Sequence, residues 1–341
     1  MNASPLIRTL KGERVDPVPV WLMRQAGRYL PDYRATRAKA RGFLDFCLTP
    51  KLAIEATLQP VDRFGMDAAI LFADLPLPAL GLGRALDYRD GEGPVLEPLT
   101  DGEAVKRLDI AGVRRVLAPV FETVAGVRAK LPREVALIGF AGAPWTLACY
   151  MVQGRGSAEF AAPRRWAWRD PESFAALIDR LTEATIEYLC GQIEAGADAV
   201  QLFDSWAGLL PEEEFRRWCV EPVCRIRAAL AQHHPGVPVI AFPRGAGQLY
   251  QGYAAATGVD AVAIDQTVPV GWAAAWIQPQ ACVQGNLDPQ LVVAGGPALP
   301  AEVRRIRAGL AGGAHVFNLG HGLVPDTPPE HVAALVTELR R

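Results

Sequence analysis

The chain has 341 residues, half of them hydrophobic, and a formal charge of −2 at pH 7. A large core is within reach, since single α/β barrels run from roughly 200 to over 400 residues. The near-neutral balance excludes a global attraction to nucleic acid or to a membrane surface, so an anionic ligand must be held by a local cluster of cations.

The first twenty residues carry no apolar run of the kind that directs secretion. No stretch of about 18 consecutive apolar residues follows to span a bilayer. The six cysteines, Cys47, Cys149, Cys190, Cys219, Cys224 and Cys282, form no C-x-x-C pair and no zinc-finger spacing with histidine. A soluble protein of a reducing cytoplasm is expected.

Short runs rich in valine, isoleucine and phenylalanine recur at 18–23, 68–72, 135–140, 199–203, 237–242, 261–265, 281–286 and 315–320. They are continuous in apolar character rather than alternating, which predicts parallel strands buried on both faces. Between them lie amphipathic stretches. Residues 171–195 open with Asp170 as an N-cap and Pro171 in the first turn, carry Phe174, Leu177, Ile178 and Leu181 at helical spacing, and stop at Gly196. Residues 212–232, 300–310 and 328–339 read as helices in the same way. Strand–helix alternation repeated through eight strands predicts a single (β/α)₈ barrel, an α/β fold, over residues 1–341. An open doubly wound sheet is the alternative; its dinucleotide version lacks a G-x-G-x-x-G after the first strand. Two irregular, glycine- and proline-rich insertions are expected near 81–103 and 154–170.

In a parallel barrel the chemistry collects at the carboxyl ends of the strands. The first exit offers Arg24, Gln25, Ala26, Gly27 and Arg28, the second Asp74, and the third leads to Trp145, Thr146 and Tyr150. The fourth gives Asp204 and Ser205, the fifth Arg244, the sixth Asp265, the seventh Asn286 and Asp288, and the eighth Asn318 and His321. Plainer readings stand beside these. Asp74 suits a helix cap or a turn, Ser205 an N-cap, Tyr150 ordinary core and His321 a satisfied loop histidine. Asp265 and Asn286 suit backbone bonding at strand ends. Metalloprotease, nucleophile-elbow and P-loop motifs are absent. The remaining set of arginines, an aspartate, a tyrosine and a histidine fits binding a polycarboxylate and moving protons.

The run Pro19-Val20-Trp21-Leu22-Met23-Arg24-Gln25-Ala26-Gly27-Arg28-Tyr29-Leu30-Pro31 resembles the N-terminal signature of the uroporphyrinogen decarboxylase family. Gly139-Phe140-Ala141-Gly142-Ala143-Pro144-Trp145-Thr146-Leu147, with Tyr150-Met151-Val152 after it, is similar to the second signature. Gln201 to Gly208 and Asn318-Leu319-Gly320-His321-Gly322 also match, so the resemblance runs from about Pro5 to the C-terminus. It implies a cytoplasmic, homodimeric carboxy-lyase of haem biosynthesis on a (β/α)₈ barrel, acting on uroporphyrinogen III without metal or cofactor to give coproporphyrinogen III. It places the substrate arginines on Arg24 and Arg28, the central aspartate on Asp74, and further substrate contacts on Gln25, Ala26, Gly27, Tyr150, Ser205 and His321. Arg24, Arg28, Asp74 and Tyr150 carry the catalytic expectation, and His321 that of a proton shuttle. Two positions depart from the family pattern: Arg155 stands in a turn of small residues, and Gln266 follows Asp265 where tryptophan is frequent. Methyltransferases on the same barrel carry a zinc-binding His-x-Cys after the fifth strand; here the place reads Ile240-Ala241-Phe242-Pro243-Arg244-Gly245. A non-catalytic tetrapyrrole binder is the remaining alternative, distinguished by tight binding without release of carbon dioxide.

Overall fold

The computed structural model describes residues 4–89 and 92–341. Its strands are β1 (Ala68–Ile70), β2 (Leu86–Arg89), β3 (Gly93–Leu96), β4 (Ala136–Gly142), β5 (Ala199–Asp204), β6 (Val239–Pro243), β7 (Ala261–Ala263), β8 (Cys282–Gln284) and β9 (His315–Val316). Seven of them form one parallel sheet in the order β1-β4-β5-β6-β7-β8-β9. The strand expected over 18–23 shrinks to a single parallel bridge between Val20 and Phe317. Pro17 and Pro19 lack the amide donors a ladder needs, and the Val20 amide is taken by the Asp67 side chain at 2.7 Å. The segment nevertheless closes the ring. Asp67 N donates to Val20 O on one side, and Phe317 N donates to Pro19 O on the other, both at 2.9 Å. With the Val20 segment as first position the ring has eight members, a (β/α)₈ barrel.

Inward-facing residues grade in size along the barrel axis. Ala68, Ala136, Ala199 and Ala261 fill the amino-terminal end together with Leu6, Ile7 and Leu10 of the helix Pro5–Leu10, which plugs it. Toward the carboxyl end stand Ile70, Phe203 and Phe242, with Phe140 edge-on to Phe203 at 5.5 Å. A short polar chain crosses the interior: Trp21 Nε1 donates to Gln284 Oε1, and Gln284 Nε2 to Gln201 Oε1, each at 3.0 Å. Buried polar groups paired in this way avoid the desolvation cost of lone ones.

The helices fall where their caps and periodicity place them. The helix Pro171–Glu194 is capped by Asp170, whose Oδ1 accepts from Ser173 N at 3.1 Å. Residues 212–232 are helical but contain a π-helical turn, Arg216–Val220, between Glu212–Phe215 and Glu221–His233. Pro222 has no amide to return to the preceding turn, and a wider turn absorbs the mismatch.

Both insertions hold more regular structure than expected. Within 81–103, β2 and β3 pair antiparallel, Leu86 opposite Leu96 and Arg89 opposite Gly93; Asp90 and Gly91 lie outside the described residues. Within 154–170, Ala161–Arg169 is a helix. The two insertions are also joined. Val95 and Arg155 form an antiparallel bridge. Leu96 N donates to Gly154 O and Leu99 N to Met151 O, both at 2.8 Å. Gly154 ends the helix Pro144–Gln153 in the left-handed region, φ 78°. A Cβ there would meet Leu96 O at 2.8 Å, so the joint needs glycine twice over.

Because β1 ends at Ile70, opposite Ile138, the next outward pair of backbone groups on β4 faces no strand. Gln192 substitutes for one: its Oε1 accepts from Phe140 N at 2.8 Å and its Nε2 donates to Phe140 O at 3.0 Å. Gln192→Leu strands both groups in the core. The expected loss is about 1–3 kcal/mol for each unpaired group, read as a lower urea midpoint at unchanged slope; an unaltered midpoint would show that the amide is dispensable.

Candidate active site

The site assembles from the segment that enters the ring with the fewest strand bonds. Arg24 adopts a left-handed backbone, φ 60°, rare for a residue with a Cβ. Its neighbours over-determine that conformation. Gln25 is fully buried; Leu22 N donates to its Oε1 and its Nε2 donates to Ala68 O of β1, both at 3.0 Å. Met23 N donates to Asn318 Oδ1 at 3.0 Å, and Leu323 N to Met23 O at 2.9 Å. The Gln25 side chain is therefore hydrogen-bonded into the barrel wall. Arg24 and Arg28 are exposed, with Ala26 and Gly27 half-buried between them. Arg34 braces this turn by donating to Arg28 O at 2.7 Å. The side chain of Arg24 lies across Gly322, where a Cβ would sit 2.3 Å from its Cδ.

Asp74 follows β1. It caps no helix: the next one, Leu77–Gly81, starts after Pro76 without a side-chain cap, and the Asp74 carboxylate accepts the adjacent Leu75 amide at 2.8 Å. Burial raises its pKa above the usual carboxylate value, opposed by the Tyr88 hydroxyl, the Leu75 amide and the charge of Arg24. Tyr88, on β2, reaches over the site from the first insertion, its ring edge-on to Phe43 at 4.8 Å. Its buried hydroxyl is near enough to Asp74 to favour the anion, yet makes no well-aligned hydrogen bond. Sequence reading missed Tyr88, since no motif marks it and only the hairpin register places it.

Tyr150 projects from the helix Pro144–Gln153, half-buried, between Phe160 at 5.5 Å and Trp206 at 6.4 Å. Burial, and behind it the nearby charge of Asp74, raises its pKa; the Trp206 indole and Arg24 act the other way. Ser205 is half-buried just past β5 and caps nothing, because the 3₁₀ turn Ala207–Leu209 starts after Trp206 without a side-chain cap. Asp204 turns into the core instead. Thr146 Oγ1 donates to its Oδ1 at 2.7 Å, its Oδ2 has no partner among the described residues, and burial pushes its pKa up to about 6.

On the eighth exit, His321 is half-buried. Burial, then the charges of Arg24 and Arg244, push its pKa down to about 3, while Asp265 pulls the other way. The imidazole is therefore neutral near pH 7. Asp265 and Asn286 bond the backbone at strand ends. Gly245 N donates to Asp265 Oδ2 at 2.9 Å, Thr267 N to Asp265 Oδ1 at 3.0 Å, and Asn286 Nδ2 to Asp265 O at 2.9 Å. Arg24 thus acts on Asp74, Tyr150 and His321 together. Beneath them Phe140, Phe203 and Phe242 pack edge to face, and Phe203 remains half-exposed to the mouth. The result is an apolar floor, the Asp74 carboxylate, and guanidinium and imidazole groups from several exits, with Asp265 bonded into the strand ends. Among the described residues, no group of three or more His, Cys, Asp or Glu side chains is arranged to hold a metal ion. No helix of the described residues is long and apolar enough to cross a membrane.

These features define a (β/α)₈-barrel protein with a cationic site at the carboxyl ends of its strands. Among solved structures, a methyltransferase from Methanosarcina mazei shares the fold at TM-score 0.77 and 20% identity, covering 98% of this chain and 97% of that one. A putative vitamin-B12 independent methionine synthase from Listeria monocytogenes matches at TM-score 0.58 and 13% identity, over 100% and 98%. Both show the fold alone. The sequence profile described as uroporphyrinogen decarboxylase (URO-D) matches residues 1–341. Proteins named uroporphyrinogen decarboxylase are 54% identical in Rhodospirillum rubrum, over 99% of this chain and 97% of the relative, and 55% identical in Paracoccus denitrificans, over 100% of both. The chain belongs to the uroporphyrinogen decarboxylase family. It is a carboxy-lyase of porphyrin biosynthesis.

Gly322→Ala tests how Arg24 is presented. The atoms nearest the new methyl group belong to the flexible Arg24 side chain, so the fold should tolerate it while the guanidinium is displaced. The melting temperature should move little and substrate affinity should drop several-fold; unchanged affinity would mean that Arg24 does not need this seat.

Proposed function

We propose that the chain binds uroporphyrinogen III across the barrel mouth and removes its four acetate carboxyl groups as carbon dioxide, yielding coproporphyrinogen III without an added cofactor. The observation that carries this reading is the buried carboxylate of Asp74, on which the charge of Arg24 acts, at a mouth where Arg24 and Arg244 also act on His321. A carboxylate offers roughly four acceptor sites and no donor, which suits the four pyrrole N–H groups at the centre of the macrocycle. Guanidinium forks suit the peripheral carboxylates.

Loss of carbon dioxide from a pyrrole acetate needs somewhere for the electron pair to go. Protonating a pyrrole carbon makes the ring cationic, and the C–CO₂ bonding pair then flows into the ring to give an exocyclic methylene. Reprotonation of that methylene yields the methyl group, and the ring proton is returned, so one proton replaces each carbon dioxide. Asp74, as an anion in a low-dielectric site, stabilises the cationic intermediate, the kind of preorganised electrostatics that dominates many enzymes. Arg24 and Arg28 hold carboxylates but are poor acids, with pKa above about 12. Tyr150, Ser205 and the neutral His321 serve as hydrogen-bonding contacts to the substrate's side chains. The homodimer and the cytoplasmic setting implied by the family belong to this same reading.

Anaerobic incubation with uroporphyrinogen, followed by chromatography of the oxidised products, tests it. Asp74→Asn keeps the size, loses the charge and turns one acceptor into a donor facing pyrrole N–H groups, so it should be nearly inactive. Asp74→Glu keeps the charge but displaces it, and misplacement near 1 Å costs on the order of 10²-fold in rate. Near-normal turnover by Asp74→Asn would sink the assignment.

The acid side of the pH profile follows from the same group. Burial raises the Asp74 pKa, and the Tyr88 hydroxyl holds it down. Activity needs the anion, so it falls as pH drops through that pKa. Tyr88→Phe removes a group that favours the anion, the pKa rises, and the acid limb should move to higher pH with the alkaline limb unchanged. A limb that stays in place, or moves down, would dissociate Tyr88 from Asp74.

A further inference from the structure

We propose that Arg244 is a third carboxylate-binding residue of the site, taking an acetate or propionate group on the side of the macrocycle opposite Arg24 and Arg28. The inference rests on the reading given under Proposed function and extends it to a residue on another wall. With the Val20 segment as first member of the ring, β6 is the fifth, so Arg24 and Arg244 leave the barrel from opposite sides of the mouth. The charges of both nevertheless act on the His321 imidazole at the eighth exit.

The turn that carries Arg244 is built rigid. Arg244 N donates to Asp204 O, and Gly208 N donates to Arg244 O, each at 3.1 Å, which ties this exit to the one bearing Ser205. The next residue is held through Asp265: its Oδ2 accepts Gly245 N at 2.9 Å and the Tyr250 hydroxyl at 3.1 Å. Gly208 permits the close approach, because a Cβ there would fall 2.4 Å from Gly245 O. While the backbone is fixed at Arg244 N, Arg244 O and Gly245 N, the guanidinium itself has no carboxylate or carbonyl partner among the described residues. Most arginines here have one: Arg114 bonds Glu187 and Glu194, Arg128 bonds Asp198, and Arg304 bonds Glu338. A half-buried, unpaired guanidinium on a locked turn is poised for an anion from outside the chain.

A ligand with eight carboxylates needs cations on more than one side, since a rim charged only beside the first exit would leave the far carboxylates to solvent. Arg24 and Arg28 come from one turn of chain and cannot span the mouth. Arg244 supplies the opposite pole, with His321 between as a neutral hydrogen-bond partner.

The test compares wild type, Arg244→Gln and Arg244→Lys. Uroporphyrin, the oxidised and unreactive octacarboxylate, serves as probe for direct binding, and uroporphyrinogen for kinetics. Arg244→Gln should raise Kd and KM by about 10- to 100-fold, the range of a lost charge-assisted hydrogen bond, with a shallower dependence of binding on salt. Arg244→Lys should recover part of the loss, as a point charge without the fork. In the free protein, NMR should show the His321 imidazole titrating at higher pH in Arg244→Gln, because a like charge has gone. Wild-type Kd and KM in Arg244→Gln would overturn the assignment, as would an unmoved His321. Failure of the wild type itself to decarboxylate uroporphyrinogen would overturn the broader reading instead, while binding of uroporphyrin would still report on Arg244.

Discussion

The architecture turns on one buried amide. The first segment of the barrel is joined to its neighbours by a single bridge at Val20 and a few flanking bonds, yet it carries both leading arginines. Gln25 makes that possible: its side chain holds Leu22 N on one side and Ala68 O on the other. It replaces the strand pairing that prolines forbid, and it fixes the chain on both sides of a left-handed Arg24. Such a conformation costs of order 1–3 kcal/mol and persists only where the surroundings over-determine it. Strain is thus concentrated at the residue whose guanidinium must leave the wall and cross the mouth. Asn318, which accepts from Met23 N, extends the same clamp to the eighth exit, so the two ends of the ring are closed and the site is positioned by the same few bonds.

Around that clamp the electrostatics are lopsided in a useful way. One carboxylate stands among cations, over phenylalanine rings that hold the local dielectric low. Burial pushes the Asp74 pKa up, and the groups that resist it are a tyrosine hydroxyl from the roof, a backbone amide and Arg24. The same cations, with burial ahead of them, strip His321 of its proton. The rim therefore presents permanent positive charge only as guanidinium, whose charge does not change with pH in the range where enzymes work. Carboxylates arriving there meet donors that never switch off.

The fold was readable in the sequence because strands buried on both faces have continuous apolar composition, and all eight runs lie at positions in the ring. What composition does not encode is how many bonds each run makes; Pro17 and Pro19 reduce the first to a bridge although its apolar character is intact. The insertions were the weaker reading for a related reason. Leu86–Arg89 and Gly93–Leu96 alternate only in part, with a glycine and a proline opening the second strand, so their pairing follows from the hairpin's geometry rather than from pattern. Ala161–Arg169 begins after a left-handed Phe160 and carries a proline in its first turn, which reads as a loop. In the site, long motifs marked Arg24, Arg28, Tyr150, Ser205 and His321, and the second strand's exit marked Asp74. The motifs also marked Gln25, whose side chain turns out to serve the wall. Tyr88 belongs to no motif, and Asp204, which looks like a mouth residue at a strand exit, is drawn into the core by Thr146.

The joint between the two insertions has a bearing on motion. The hairpin that carries Tyr88 and the helix that carries Tyr150 are held together by the Val95–Arg155 bridge and by the amides of Leu96 and Leu99. Groups coupled by shared backbone bonds tend to open together as one cooperative unit. The hairpin bearing Tyr88 and the segment after Gly154 then form a single panel rather than two flaps, while the helix bearing Tyr150 is anchored in the core. Amide protons on Leu96 and Leu99 would exchange with solvent at a common free energy, set by the opening of the panel and distinct from that of the barrel beneath it.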